Sequence, residues 1–215
     1  MTDVPLTSNG RWNKKLGAGV IAFSTLPGLP AEGGTCPGAT SWCQDNCYAV
    51  GMDSNGSRPA IHARWSKNTD AVRAGGMPEI PRQAKYFRIH VSGDFYSPVY
   101  IEQWIELCQS RPDVKFWAYT RSWRSPRLLP SLARLRALPN VQLFASTDPS
   151  VRAAPPEGWR VASVTDVQLG LRDDRQYPTQ ATGLQCPEQV GKAASCADCG
   201  YCFKGKKGNV LFLVH

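Results

Sequence analysis

Between residues 85 and 166, strand-like and helix-like segments alternate with short connections, and that order leaves few folds open. Phe87 to Ser92 reads as a strand, with Gly93 and Asp94 turning the chain after it. Ser97 then stands as an N-cap before Pro98 at the first helical position, where a missing N–H costs nothing. Ile101, Trp104, Ile105 and Cys108 follow at the spacing of one buried helical face, and Pro112-Asp113 ends the helix. Val114 to Thr120 is the next strand. Ser125-Pro126 repeats the start signal, and Leu128, Leu132, Leu135 and Leu138 line a second helical face whose first turn Pro130 is expected to break. Val141 to Thr147 and Arg160 to Thr165 continue the strand series. Val20 to Phe23 supplies an earlier strand, and about Arg58 to Ala74 a helix with Ile61, Trp65, Thr69 and Val72 on one side.

Strands joined through helices by short loops make right-handed βαβ units and a parallel sheet. The expected class is therefore α/β, a partial (β/α) barrel of about five or six parallel strands, since a complete eight-stranded barrel needs roughly 250 residues. Residues 1–166 are assigned to that barrel, and residues 167–215 to a C-terminal cysteine-rich extension ending in the apolar strand Val210 to Val214. Stretches 24–38, 149–158 and 167–185 read as loops from their Gly, Pro and polar content.

Strand parity adds a site. Ile89 and Val91 share one face, as do Phe116 and Ala118, and Leu143 and Ala145, and these suit packing under helices. The opposite parity carries His90 and Ser92, Tyr119 and Arg121, Ser146 and Asp148. Parallel strands covered on both faces read as apolar throughout, so polar residues crowded toward the strand ends fit a ligand cleft. Simple exposure at strand ends is the other reading.

Composition narrows the class. Apolar residues make up 42% and charged residues 20%, so a core is affordable and wholesale disorder is excluded. No stretch approaches the roughly 18 apolar residues that span a bilayer, and the N-terminus Met1-Thr2-Asp3-Val4-Pro5 has an acid where a signal peptide carries positive charge. The expectation is a cytoplasmic protein without a membrane partner. The net charge of +8 suits an anionic partner, nucleic acid being the commonest.

Eight cysteines fall in two groups. In a reducing compartment such clusters favour metal ligation over disulfides. Cys36, Cys43 and Cys47 occupy a loop after the first strand, with no histidine nearby. Three thiolates leave a tetrahedral zinc one ligand short, but they suit a [4Fe–4S] cluster with one iron open. The second group is Cys186, Cys196, Cys199 and Cys202. Its C-x2-C-x2-C run with a separate Cys-Pro favours a second, closed [4Fe–4S] cluster, with structural zinc as the alternative. Cys108 belongs to a helical core face. The run Lys204 to Gly208 is either a solvated turn or a phosphate contact.

A cysteine triplet after the first strand of a truncated barrel, with Tyr48 beside the last cysteine, resembles the radical S-adenosylmethionine (radical SAM) superfamily. The spacing here, C-x6-C-x3-C, departs from the usual C-x3-C-x2-C, and Trp42 to Ala49 is similar to the ending found in small phage-encoded relatives. The resemblance covers about residues 16–166. It implies an open [4Fe–4S] cluster on Cys36, Cys43 and Cys47 that binds SAM and cleaves it reductively to a 5′-deoxyadenosyl radical, with electrons from an external donor. It also implies SAM-binding parts for Tyr48, Ser92, Gly93 and Asp94, the last offering a carboxylate to the methionine amino group. Tyr119, Thr120 or Arg121 and Ser146 or Asp148 would stand around SAM, Arg121 pairing with the methionine carboxylate. An auxiliary cluster after the barrel fits the same superfamily.

For the substrate there are rings and guanidinium groups from Phe116 to Arg127, read either as Phe116 and Trp117 in the core with solvated arginines or with Trp123 and Arg124 as stacking and phosphate contacts. These and the phage-like resemblance point to a nucleic acid or nucleotide, modified in the host cytoplasm if the protein is phage-encoded. The rival is a non-catalytic zinc or iron–sulfur nucleic-acid-binding module.

Overall fold

A computed structural model describes residues 7–9, 13–50, 59–165, 183–205 and 208–214. The N-terminal pentapeptide, most of the 167–185 loop, Arg58, and Lys206 and Lys207 of the basic run lie outside the described residues. The strands are β1 (Ser8–Asn9), β2 (Val20–Ala22), β3 (Tyr86–Arg88), β4 (Lys115–Thr120), β5 (Val141–Thr147), β6 (Arg160–Thr165), β7 (Leu184–Gln185) and β8 (Val210–Leu213). They form one sheet in the order β1-β2-β3-β4-β5-β6-β8-β7. Only β1 pairs antiparallel; the other seven are parallel and curl into a half-barrel. The α/β class is as expected, with more strands. β8 pairs with β6 and carries β7 on its outer edge, so the C-terminal segment continues the sheet. Gln185 and Leu184 thus make a short strand where a loop is expected.

The helices form on the signals that the sequence carries. The helix α1 (Ser41–Asp45) starts at the N-cap Thr40, and α2 (Pro59–Arg73) buries Trp65, Thr69 and Val72. In α3 (Pro98–Ser110) the Ser97 hydroxyl accepts from the Tyr100 N–H, and Ile101, Trp104, Ile105 and Cys108 are buried. The helix α4 differs from expectation. It spans Leu129–Arg136 with Pro130 in its first turn, where proline removes a donor that had no partner anyway. Ser125 closes the preceding turn instead, its carbonyl accepting from Leu128 and Leu129.

The main core lies between the sheet and α3 and α4, built from Phe23, Phe87, Ile89, Phe116, Ala118 and Leu143 against Trp104, Leu132 and Leu135. Trp104 is fully buried, with ring centroids 5.8 Å from both Phe23 and Phe87. Trp104→Ala should therefore cost about 3–5 kcal/mol of unfolding free energy, read from urea denaturation. An unchanged midpoint would contradict this packing.

One expected face is corrected. The strand stops at Arg88, and His90 takes a left-handed backbone (φ 59°), which breaks the alternation. Ile89 enters the helix-side core, whereas Val91 packs on the other side of the sheet. His90 itself turns into the aromatic core. Its Nε2 lies 2.8 Å from the Tyr100 hydroxyl, and its ring edge meets Phe95 at 4.7 Å.

Burial, helped by the Arg88 charge, pushes the His90 imidazole from 6.5 down to about 3. The unfolded chain therefore takes up this proton first as pH falls. Stability contributed by neutral His90 is complete above pH 6.5 and is lost from there down to about pH 3, with a slope near 1.4 kcal/mol per pH unit. His90→Asn, which tolerates the left-handed backbone, should be less stable and should lack that slope. A parallel pH profile in the variant would contradict the assignment.

Candidate functional site

One cavity of about 1190 Å³ opens on the inner side of the curled sheet, and all seven cysteines of the two groups line it. Phe203 on its wall is backed by an apolar cluster with Val20, Ala22 and Trp117, its ring 4.4 Å from Trp117 and 4.6 Å from Tyr86. The C-terminal segment thus folds back onto the inner face of the sheet. Its short helix α5 (Cys196–Cys199) is N-capped by Ser195 and docks on residues 15–16, with the Cys196 and Ala197 N–H groups donating to the Lys15 and Leu16 carbonyls. Gly17 is obligatory there, because a Cβ would sit 2.3 Å from the Ser195 hydroxyl. Lys204 caps this turn by donating to the Ala197 carbonyl at 3.2 Å.

The first cysteine loop is tied to the ends of β4 and β5. The Thr40 hydroxyl accepts from the Cys43 N–H at 2.9 Å and donates to Asp148 Oδ2 at 2.8 Å. The Arg121 Nε donates to that same oxygen at 3.1 Å, and Arg124 donates to the Gly38 carbonyl at 2.9 Å. Gly38 lies flat on the backbone of Arg121, since a Cβ there would be 2.1 Å from the Arg121 carbonyl oxygen. Gly38→Ala must therefore lift the loop from the sheet. The expected result is a lower thermal midpoint, and an unchanged midpoint would contradict the docking.

Cys36 lies close enough to feel the charge of Cys43 and Cys47, and Cys43 that of Cys47. Burial, with the Asp94 charge and the neighbouring thiols, pushes the Cys36 thiol far up. Cys43 is also raised by burial, with Arg121 opposing. Cys196 and Cys202 are each pushed up to about 11, again mainly by burial. Such thiols are protonated at neutral pH unless a cationic centre binds and displaces the protons. Among the described residues, no three His, Cys, Asp or Glu side chains are gathered as a metal-ion site.

The other expected site residues divide into groups that face the cavity and groups that brace it. Ser92, Gly93, Asp94, Tyr119, Arg121 and Ser146 join Tyr48 on its walls. Ser92 Oγ is buried with no hydrogen-bond partner. Arg121 spends only its Nε on Asp148, leaving its terminal nitrogens without a described acceptor. The Tyr48 hydroxyl donates to the Val91 carbonyl, and the residue as a whole is 44% exposed.

Asp94 has a different part from the one expected of it. One of its oxygens accepts from the Phe95 N–H (2.7 Å) and the Thr120 hydroxyl (2.6 Å), and the other from the Arg121 and Ser122 N–H groups (2.8 and 3.1 Å). With four donors its lone pairs are filled, and the carboxylate locks the β3 end to the β4 end instead of reaching for a ligand. Thr120, fully buried, is one of those donors and does not line the cavity. Asp148 is likewise an anchor. Burial pushes its pKa up, but hydrogen bonds from Ser150 and Thr40 and the Arg121 charge outweigh that and hold it low.

Trp123 and Arg124 do not form the expected stacking surface. Trp123 is 5% exposed in a separate cluster with Ala145 and Val151, and its Nε1 donates to the Ser146 carbonyl. Arg124 is occupied with Gly38. Sequence reasoning missed Thr40 and Arg88. Thr40 was legible as an N-cap three residues before Cys43, and Arg88 as a charge inside a parallel strand, at the parity of Ser92.

A curled parallel α/β half-barrel with a thiol-lined cavity on its inner face is the class that fold and site define. The chain belongs to the Gene product 88 family, whose profile matches residues 6–205. It is 30% identical to the Gene 88 protein of Mycobacterium phage L5 over 92% of this chain and 90% of that one. Identity to the Gene 88 protein of Mycobacterium phage D29 is 29%, with the same coverage. No solved structure matches the fold. No helix among the described residues is long and apolar enough to cross a membrane.

Proposed function

We propose that the protein is a radical SAM enzyme of the cytoplasm that acts on a nucleotide or another small molecule held in the inner cavity. The observation that carries this reading is the convergence of three cysteine thiols, an unpartnered Ser92 hydroxyl, the free end of Arg121 and Tyr48 on one space. That donor set fits a [4Fe–4S] cluster with SAM beside it.

Bound there, the cluster and SAM supply one-electron reductive cleavage of the SAM sulfonium, with the electron coming from an external donor. The chain's own work is to bind, orient and exclude. Cys36, Cys43 and Cys47 release their protons to ligate iron, and the Thr40–Asp148–Arg121 bridge fixes the loop that carries them. Arg121 offers its terminal nitrogens to the methionine carboxylate, for which a guanidinium fork is the natural partner. Ser92 Oγ accepts from the methionine amino group, and the Tyr48 ring covers the adenine. Cys186, Cys196, Cys199 and Cys202 hold a second, auxiliary cluster across the cavity.

The test is an anaerobic assay with dithionite and SAM. Equal amounts of methionine and 5′-deoxyadenosine, absent without protein, are the expected result. Iron-loaded protein that leaves SAM intact would overturn the reading.

A further inference from the structure

Arg88 lines the cavity and has no counter-charge among the described residues. It stands at the end of β3 with its side chain on the inner face, because its neighbour Phe87 packs into the helix-side core. Its guanidinium carbon lies 5.0 Å over the Tyr119 ring, which holds the group in place. Its Nε is buried without a hydrogen-bond partner, and the side chain makes no hydrogen bond or ion pair with any described residue. It lines the same cavity as both cysteine groups.

Three other charged residues of the cavity have partners. Lys15 pairs with Glu188 at 3.2 Å, Arg121 with Asp148 at 3.1 Å, and Asp94 is filled by its four donors. A half-buried guanidinium with nothing accepting from it is costly, and proteins keep such groups where a ligand completes them. The space is ample, since about 1190 Å³ exceeds the roughly 300–1,000 Å³ of an ordinary small-molecule pocket.

We propose that Arg88 anchors an oxyanion, a phosphate or carboxylate, of a small-molecule substrate seated in the cavity that both cysteine groups line. Both anions match the guanidinium fork with two parallel N–H···O bonds, which a point charge does not reproduce. The inference rests on the proposed radical SAM reading only in calling the bound molecule a substrate. The anion site itself follows from the cavity. The competing assignment makes Arg88 a counter-charge for thiolates of the C-terminal group, with no ligand of its own.

The experiment is calorimetric titration of the full-length, anaerobically purified protein with inorganic phosphate, a nucleoside monophosphate and a dicarboxylate. Wild type, Arg88→Gln and Arg88→Lys are compared, with iron measured in each. Wild type should bind at least one of the three, and which one distinguishes phosphate from carboxylate. Affinity should fall about tenfold or more in Arg88→Gln, and also in Arg88→Lys, which keeps the charge and loses the fork. The lysine variant decides the matter if the glutamine variant does not fold.

No binding by wild type would overturn the proposal, as would equal affinity in the variants. Loss of iron with anion affinity intact would identify Arg88 as the counter-charge and overturn it too. Failure of the radical SAM reading appears separately, as intact SAM in the cleavage assay alongside an Arg88-dependent anion site.

Discussion

Replacing Cys43 with alanine is expected to abolish reductive SAM cleavage while leaving the chain folded. The residue lies in the first turns of α1 and lines the cavity, outside every apolar core cluster, so its loss removes a ligand and little packing. A cluster left with two protein ligands is not retained, and iron should fall by about four per chain, with the auxiliary site unaffected. Cys108→Ala is the matched control. That thiol is fully buried among α3 core residues, so its truncation should lower unfolding stability by about 1–2 kcal/mol while SAM cleavage persists. Full cleavage activity in Cys43→Ala would remove Cys43 from the centre.

Asp94→Asn carries the second large effect, and it separates two roles for the same residue. A carboxylate that only touched SAM would be replaced at little cost in stability. Here the carboxylate accepts from the Arg121 and Ser122 N–H groups and the Thr120 hydroxyl, and an amide NH2 in place of either oxygen faces the two donors that oxygen serves. Each buried donor left unmatched costs about 1–3 kcal/mol, so a total loss near 3–5 kcal/mol is expected in urea unfolding of the metal-free protein. SAM binding should fail with it, since Ser92 and Arg121 are positioned through this link. A variant as stable as wild type would return Asp94 to direct ligand contact. Burial pushes the Asp94 pKa up, which these hydrogen bonds oppose. A raised carboxylate pKa contributes stability below its unfolded value that is lost as pH rises, so Asp94 and His90 move stability in opposite directions with pH.

The parts of this architecture that announce themselves are those governed by local rules. Ser97-Pro98 and the Ile101, Trp104, Ile105, Cys108 spacing place α3, and runs of apolar residues place β4, β5 and β6. What stays hidden depends on tertiary context. The left-handed backbone at His90 cannot be read from an alternating strand, and it sends Ile89 and Val91 to opposite sides of the sheet. The pairing of β8 with β6 is made between segments some 45 residues apart in sequence, so an apparent extension is part of the sheet.

The site shows the same division. All seven clustered cysteines and the residues of the Ser92-Gly93-Asp94 turn come to one cavity, as their residue types and positions imply. Which of them face a ligand is a matter of hydrogen-bond saturation. Asp94 and Asp148 are filled by protein donors, Ser92 Oγ is not, and nothing in the sequence separates them. Trp123 lies beyond a strand end and still turns into its own apolar cluster, which withdraws it from any stacking role.

Iron, acid-labile sulfide and zinc per chain, measured on protein purified without oxygen, test the central claim most directly. The account predicts about eight iron with matching sulfide, or about four with one zinc if the C-terminal thiols hold a structural ion. Zinc without iron would contradict radical SAM chemistry and leave a metal-stabilised binding module in its place.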